Sequence, residues 1–234
     1  MTSQDVQNLF SSIATRYALV NHVLSFGMDF WWRWVVARQI ERWQPRELLD
    51  IATGNGELAF AIAQRLPTVR ISAIDFCAPM LAQASEKQKK GKGKQITFLQ
   101  ADGLELPFKE HSFDVATISF GLRNMRSWEG GLHEMNRVLR PGGHLLILDF
   151  SIPTSPLLRP LYRFYLHFLL PYFAGLLTGE ASAYHYMGGS IEAFPSGEKM
   201  CALLENCGFQ DPQAQPLTAG IVTIYRAKKE KQSS

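Results

Sequence analysis

Cysteine is scarce. The 234-residue chain carries three, Cys77, Cys201 and Cys207, and no two are spaced as C-x-x-C. That odd set argues against a disulfide framework or a cysteine-ligated zinc site and fits a reducing compartment. No His/Asp/Glu cluster has metal-ligand spacing either, so no metal is expected. Charge of one sign is in short supply: 24 basic and 21 acidic side chains leave a net +3, too little to argue for nucleic acid. MTSQDVQNLF has no basic region followed by an apolar core, so no signal peptide is expected. No internal repeat is present, and no long apolar run is unbroken. Residues 157–178, LLRPLYRFYLHFLLPYFAGLLT, are interrupted by Arg159, Pro160, Arg163, His167 and Pro171. A spanning helix wants about 20 predominantly apolar residues. The segment is expected to be an apolar helix that needs a cover.

What is present points to a folded enzyme-sized chain. Hydrophobic residues make up 46% and charged residues 19%, which excludes a disordered tail and a fibre. Val6, Leu9, Phe10, Ile13, Ala14 and Tyr17 form one stripe of an amphipathic helix over 4–20. A helix carrying Trp31, Trp32, Trp34 and Trp43 follows and ends at Pro45. Strands are expected at 48–53, 69–74, 95–99, 114–119 and 144–150. Helices at 57–65, 78–90 and 129–139 alternate with them, and Pro141-Gly142-Gly143 closes the last. Such alternation predicts βαβ units and a parallel sheet. An aromatic insert spans 151–195, a helix 196–206 ends at Gly208, and a final strand covers 219–227. The basic run 86–95 and the KKEKQSS tail read as solvated surface.

The first strand runs into a glycine turn, Gly54-Asn55-Gly56, where tight dihedrals let backbone approach a ligand. Asp75 ends the second strand, 19 residues after Gly56, where a carboxylate can accept both ribose hydroxyls. Asp102 ends the third, placed for an adenine edge. Gly54 to Ala59 also matches the dinucleotide pattern G-x-G-x-x-A, which leaves a nicotinamide-dependent oxidoreductase as the rival. Asp50 and Glu57 bracket the turn, however, and carboxylates repel a pyrophosphate but suit a cation. A sulfonium with an ammonium group, S-adenosylmethionine, fits better.

The segments DIATGNGE, IDFCAPML, QADGLELPF, SFDVATISFGLRN and EMNRVLRPGGHLLILDFSIP occur in an order that resembles a class I S-adenosylmethionine methyltransferase. More narrowly, FSSIATRY, FGLRN, AYHYMGGSIEAFP and LTAGIVTIYRA resemble the ubiquinone/menaquinone biosynthesis C-methyltransferase family, over nearly the whole chain. The turn reads GNGE where GTGD is usual, and RYALVN stands where RYDLMN is usual.

The resemblance implies a Rossmann-like α/β fold. Its sheet would be mostly parallel and seven-stranded, flanked by helices, with N-terminal helices and a helical insert after strand five. One domain is expected over 1–234: a helical lid (1–45), a cofactor core (46–150), the insert (151–195) and a last helix and strand (196–227). Asp50, Thr53, Gly54, Asn55 and Gly56 would cradle the methionine part of the cofactor. Asp75 and Phe76 would hold the ribose side, Asp102 and Gly103 the adenine, and Ser119 the pocket wall. The substrate would be a prenylated quinol, demethylmenaquinol first, with a benzoquinol or a phytyl-naphthoquinol as close rivals.

Carbon methylation of a quinol needs the phenolate, yet a phenol titrates near ~10. Arg123 is the expected cation beside that oxygen, with Asn124 orienting an oxygen or a water. Their plainer reading is a loop tie to a surface acid for Arg123 and a helix cap for Asn124. His185 is the candidate proton acceptor, although a lone histidine among tyrosines is more often packed. Tyr17 and Asn21 would close over the cofactor. Phe164, Tyr165, Phe168, Leu169 and Tyr172 would form a greasy entrance, with Arg159 and Arg163 at lipid head groups. A covered core helix or a homodimer interface is the equal alternative for 157–178. The expected location is cytoplasmic, peripheral on the inner face of the membrane. A nucleic-acid amino methyltransferase often carries an N-P-P-Y-like loop where this chain has Ser119-Phe120-Gly121. A non-catalytic lipid module would more readily have lost Asp75 and the glycines.

Overall fold

The computed structural model describes residues 22, 25–178 and 181–231, without the side chains of 176–178, 181–183 and 185. The helix expected over 4–20, with Tyr17, and Asn21 after it lie outside the described residues. The remainder forms a seven-stranded sheet in the order β3-β2-β1-β4-β5-β7-β6. The strands are β1 (Glu47–Ile51), β2 (Arg70–Asp75), β3 (Ile96–Gln100), β4 (Phe113–Ser119), β5 (Leu139–Phe150), β6 (Phe209–Leu217) and β7 (Val222–Lys229). The first five pair in parallel, and β7 pairs antiparallel with both β5 and β6.

Both faces of the sheet are covered, which is why β1 and β4 read as apolar runs without alternation. Helices α1 (Met28–Glu41) and α2 (Glu57–Arg65) pack on one face through Trp32, Val36, Ile40, Leu58 and Ile62. Helix α3 (Ala78–Lys89) follows β2. On the other face, α4 (Trp128–Val138) and α8 (Glu198–Asn206) bury Leu132, Met135, Val138, Met200 and Leu204. Ser127 caps α4, its hydroxyl accepting the Gly130 N–H at 2.9 Å, so Asn124 is not the cap.

The insert departs from a single helix. Helix α5 (Leu158–Phe164) passes through a π-helical stretch, Tyr165–Leu169, into α6 (Leu170–Thr178), and α7 (Ala181–Ala193) follows. These helices share a small core of their own, Tyr162, Leu166, Leu170, Ala174, Tyr184 and Ile191, beside Phe150 and Ile152. Among the described residues, no helix is long and apolar enough to cross a membrane.

Other boundaries also move. Helix α1 stops at Glu41, and Trp43 lies beyond it, stacked on His144 at 4.2 Å between centroids. Pro141-Gly142-Gly143 does not stop the chain before β5. The strand runs from Leu139 across a register shift opposite Phe113 and Val115. The last strand begins at Val222, because Ala219 adopts a left-handed turn at φ 53°. Strand β6 was not expected. It carries Pro212 and Pro216 on the outer edge, where a missing N–H breaks no inner ladder.

Candidate active site

The sheet order reverses between β1 and β4, and the crevice beyond those strand ends is where open α/β sheets bind ligands. Register brings the acids there. Asp50 pairs with Thr117 across β1 and β4, and Ile51 with Ile74 of β2, one residue before Asp75. Both strand ends are tight. Ala52 and Phe120 hold positive φ, 51° and 57°, without being glycine. A Cβ on Gly121 would sit 2.5 Å from the Ala52 Cβ, so only glycine fits that approach.

Buried Asp50 accepts the Thr53 hydroxyl at 2.6 Å and the Thr117 hydroxyl at 2.8 Å. Burial still pushes its carboxyl up to about 6, aided by the Asp75 charge, with the two hydroxyls opposing. Asp75 accepts the N–H of Gly54 at 2.7 Å and of Cys77 at 2.8 Å. Burial raises it too, against those hydrogen bonds. The glycine turn is pinned from outside by Lys87, which pairs with Glu57 and donates to the Asn55 carbonyl at 3.2 Å. Gly56 starts α2 at φ 82°, a conformation glycine adopts without strain.

Asp50, Thr53, Gly54, Asn55, Asp75, Phe76 and Ser119 line one cleft of about 100 Å³. Asp102 and Gly103 line a second of about 80 Å³, where Asp102 accepts the Leu104 N–H at 2.9 Å. Asp75, Phe76 and Asn124 border both, so the two make one trough across three strand ends. Gly56 lies beneath it as the α2 N-cap.

Arg123 is not among the lining residues. Its guanidinium donates to the Asp149 carboxylate at 2.7 Å and the Phe120 carbonyl at 2.6 Å, 5.2 Å from the Phe150 ring. Both partners of the ion pair are buried. The acid it ties is thus a core residue at the end of β5. Asn124 donates to the Phe120 carbonyl at 3.3 Å at the trough's edge. His185 sits on α7, and its side chain lies outside the described part. Among the described residues no three His, Cys, Asp or Glu gather as metal ligands.

A third, larger cavity adjoins the trough. It measures about 440 Å³, and its wall includes Trp32, Phe120, Phe150, Leu161, Tyr165 and Leu166. Arg33 and Phe120 line both spaces. Of the side chains expected at a greasy entrance, Tyr165 lines this cavity, whereas Phe164, Phe168, Leu169 and Tyr172 are exposed outside it. Arg163 pairs with Glu192 at 2.9 Å, and Arg159 donates to the Pro153 carbonyl at 3.2 Å. Sequence reading missed Asp29 and Arg33 of α1. Their i,i+4 spacing on the tryptophan helix was the available signal.

A seven-stranded sheet of this order, with β7 alone reversed and an acid-lined glycine trough at its switch point, defines a class I methyltransferase fold. A solved S-adenosylmethionine-dependent methyltransferase from Thermotoga maritima shares it, with a TM-score of 0.64 at 18% identity over 95% of this chain and 99% of that one. The chain spans about half the length of two Haemonchus contortus phosphoethanolamine N-methyltransferase structures of the same fold. Sequence gives the narrower assignment: residues 1–229 match the ubiE/COQ5 methyltransferase family, and the chain belongs to it. A demethylmenaquinone methyltransferase of Thermus thermophilus is 41% identical over 93% of this chain and 98% of its own. A ubiquinone/menaquinone biosynthesis C-methyltransferase of Syntrophotalea carbinolica is 41% identical over 95% and 93%.

Proposed function

We propose that this chain methylates a ring carbon of a prenylated quinol, demethylmenaquinol in the first place, with S-adenosylmethionine as donor. The observation that carries the reading is the junction of an acid-lined trough with a 440 Å³ apolar cavity through Arg33 and Phe120. A polar cofactor and a greasy ring can meet there. The residues present fit the donor. Asp50, Glu57 and Asp75 line the trough, and a buried carboxyl raised to about 6 is one that a bound cation would ionise. When bound, that donor supplies a methyl group on a sulfonium whose sulfur keeps the bonding pair.

The chain's own residues do the positioning. Asp50, Thr53 and the glycine turn hold the methionine end, Asp75 the ribose, and Asp102-Gly103 the adenine side. Phe120 and Phe150, 4.7 Å apart between centroids, form the apolar wall next to the trough and keep water from the reacting ring. Arg123, locked on Asp149, fixes the loop that carries Phe120 and Asn124. His185 remains the proposed proton acceptor, tested by His185→Ala in the same assay.

The outer face of the insert supports a second part of the reading, contact with the inner face of the membrane. Leu157, Leu161, Phe164, Phe168 and Tyr172 are all more than half exposed. Five such side chains within residues 157–172, two of them stacked, mark a candidate interaction face. A homodimer through this face is the competing outcome of a sedimentation experiment.

The test uses purified protein, methyl-labelled S-adenosylmethionine and reduced demethylnaphthoquinol or demethylbenzoquinol. Label extracted on the naphthoquinol, and lost in Asp75→Ala, supports the reading. Label on the benzoquinol alone moves the ring assignment, and label on neither overturns it.

A further inference from the structure

Among the described residues, Arg33 is the only basic one that lines the Asp50–Asp75 cleft or the apolar cavity, and it lines both, whereas Arg126 lines the Asp102 cleft alone. It is set on α1 by Asp29, whose carboxylate accepts the Arg33 N–H at 2.7 Å. Asp29 is buried, takes the Ser25 hydroxyl at 3.0 Å and contacts the His22 ring, which stacks on Phe30. Ser25, Asp29 and Arg33 are polar groups in a wall that is otherwise mostly apolar. Three further hydroxyl-bearing side chains line it: Tyr162, Tyr165 and Thr218, of which Thr218 already accepts the Trp32 indole N–H at 2.7 Å. Few polar groups converging in an apolar cavity are what orient a ligand there. Asp29 lines only the apolar cavity, so Arg33 is the member of the pair that reaches towards the trough.

Resting on the quinol reading, we propose that Arg33 is the cation that meets the substrate's ring oxygen and favours its ionised form. The quinol O–H proton passes to the acceptor proposed above and on to solvent. The oxygen's electron pair raises density at the ring carbon, which takes the methyl group and then releases its own hydrogen as a proton. Arg123 lines none of the three spaces and is buried, with its guanidinium on Asp149 and the Phe120 carbonyl. An opposite charge within ~4–6 Å lowers a phenol's pKa by about 1–3 units. Guanidinium keeps its charge throughout that range and brings five donors, of which Asp29 uses one. Asp29 acts through Arg33 and is a positioning residue. The other titratable groups around the junction are Asp50, Glu57 and Asp75, with His22 against Asp29.

The test reads ionisation without turnover. Wild-type protein saturated with S-adenosylhomocysteine is titrated with 1-naphthol, whose naphtholate absorbs at longer wavelength. Bound naphthol is expected to ionise at least about one unit below free naphthol. Arg33→Gln should abolish that shift, Arg33→Lys should keep most of it, and S-adenosylhomocysteine affinity should stay within about threefold in both. Methylation by Arg33→Gln should fall ~10²–10³-fold in kcat, with the acid limb of its pH profile moved upward. Asp29→Asn should lower the naphthol pKa further, as a like charge is removed, and yet reduce kcat. If Arg33→Gln does not fold, Asp29→Asn/Arg33→Gln, which leaves no unpaired carboxylate, replaces it. Naphthol that fails to bind wild type, or ionises equally in wild type and Arg33→Gln, overturns the proposal. So does a tenfold loss of S-adenosylhomocysteine affinity with naphthol ionisation unchanged, which would give Arg33 to the cofactor's carboxylate. A wild type that shifts naphthol but methylates no quinol sinks the function and leaves the phenol site standing.

Discussion

Arg123 donates to Asp149 at 2.7 Å, with both side chains buried, and this pair joins the end of β4 to the end of β5. Removing one partner leaves a buried charge uncompensated, which costs about 3–5 kcal/mol. Arg123→Met is therefore expected to lower the urea midpoint strongly, and Arg123→Met/Asp149→Asn to recover much of the loss. A stable Arg123→Met without turnover would instead return Arg123 to the reacting atoms.

Asp50 gives the trough a pH dependence. Its folded pKa, about 6, lies above its unfolded value, so the folded chain holds the proton more tightly. The stabilising contribution is present below the unfolded pKa and is lost as pH rises through about 6. A bound ammonium or sulfonium favours the ionised form, so ligand affinity should run the other way. Calorimetric titration with S-adenosylhomocysteine should show binding roughly tenfold weaker at pH 5 than at pH 7. In Asp50→Asn that dependence should flatten. Thr117→Val, which removes one donor to Asp50, should move it to higher pH.

The parallel core was legible because its central strands, β1 and β4, are buried on both faces and its helices carry their own stops. The α2 helix begins and ends where the glycine turn and Arg65 said it would. The trough was legible for the same reason: βα turns place Asp50, Asp75 and Asp102 at successive strand ends. Strand β6 was hidden, since its two prolines and mostly exposed positions give no alternation, and only its place at the sheet edge makes them tolerable. The fate of Arg123 was hidden differently. Its partner lies 26 residues away in an apolar strand, and an aspartate in LLILDF looks like a strand end until the fold puts it beneath the loop. Arg33 could have been suspected from its spacing to Asp29. That it faces two cavities depends on how α1 packs against the ends of β4 and β5.

Gly56 tests whether the turn's shape matters apart from its charge. A Cβ there would lie 2.8 Å from Phe60 Cε2, and φ is +82°. Left-handed backbone costs an L-residue about 1–2 kcal/mol. Gly56→Ala should lose that much stability by urea unfolding, plus a measurable part of its S-adenosylhomocysteine affinity. Gly189→Ala is the control, because a Cβ there meets nothing within 4 Å.

Phe164 and Phe168 stack at 5.2 Å on the outer face of the insert and are 52% and 64% exposed. Exposed apolar side chains contribute little to folding, so Phe164→Ser/Phe168→Ser should leave the thermal midpoint nearly unchanged. If this face meets lipid, each ring brings apolar area to the interface at ~25 cal/mol per Å². The double variant should then sediment with anionic liposomes at least about tenfold less well. Methylation of a long-tailed quinol carried in those liposomes should fall, while methylation of a short-tailed quinol in solution should hold. Loss of both would mean that these rings shape the cavity through Tyr165 and Leu166. Loss of neither, with sedimentation unchanged, would leave the face to a second copy of the chain.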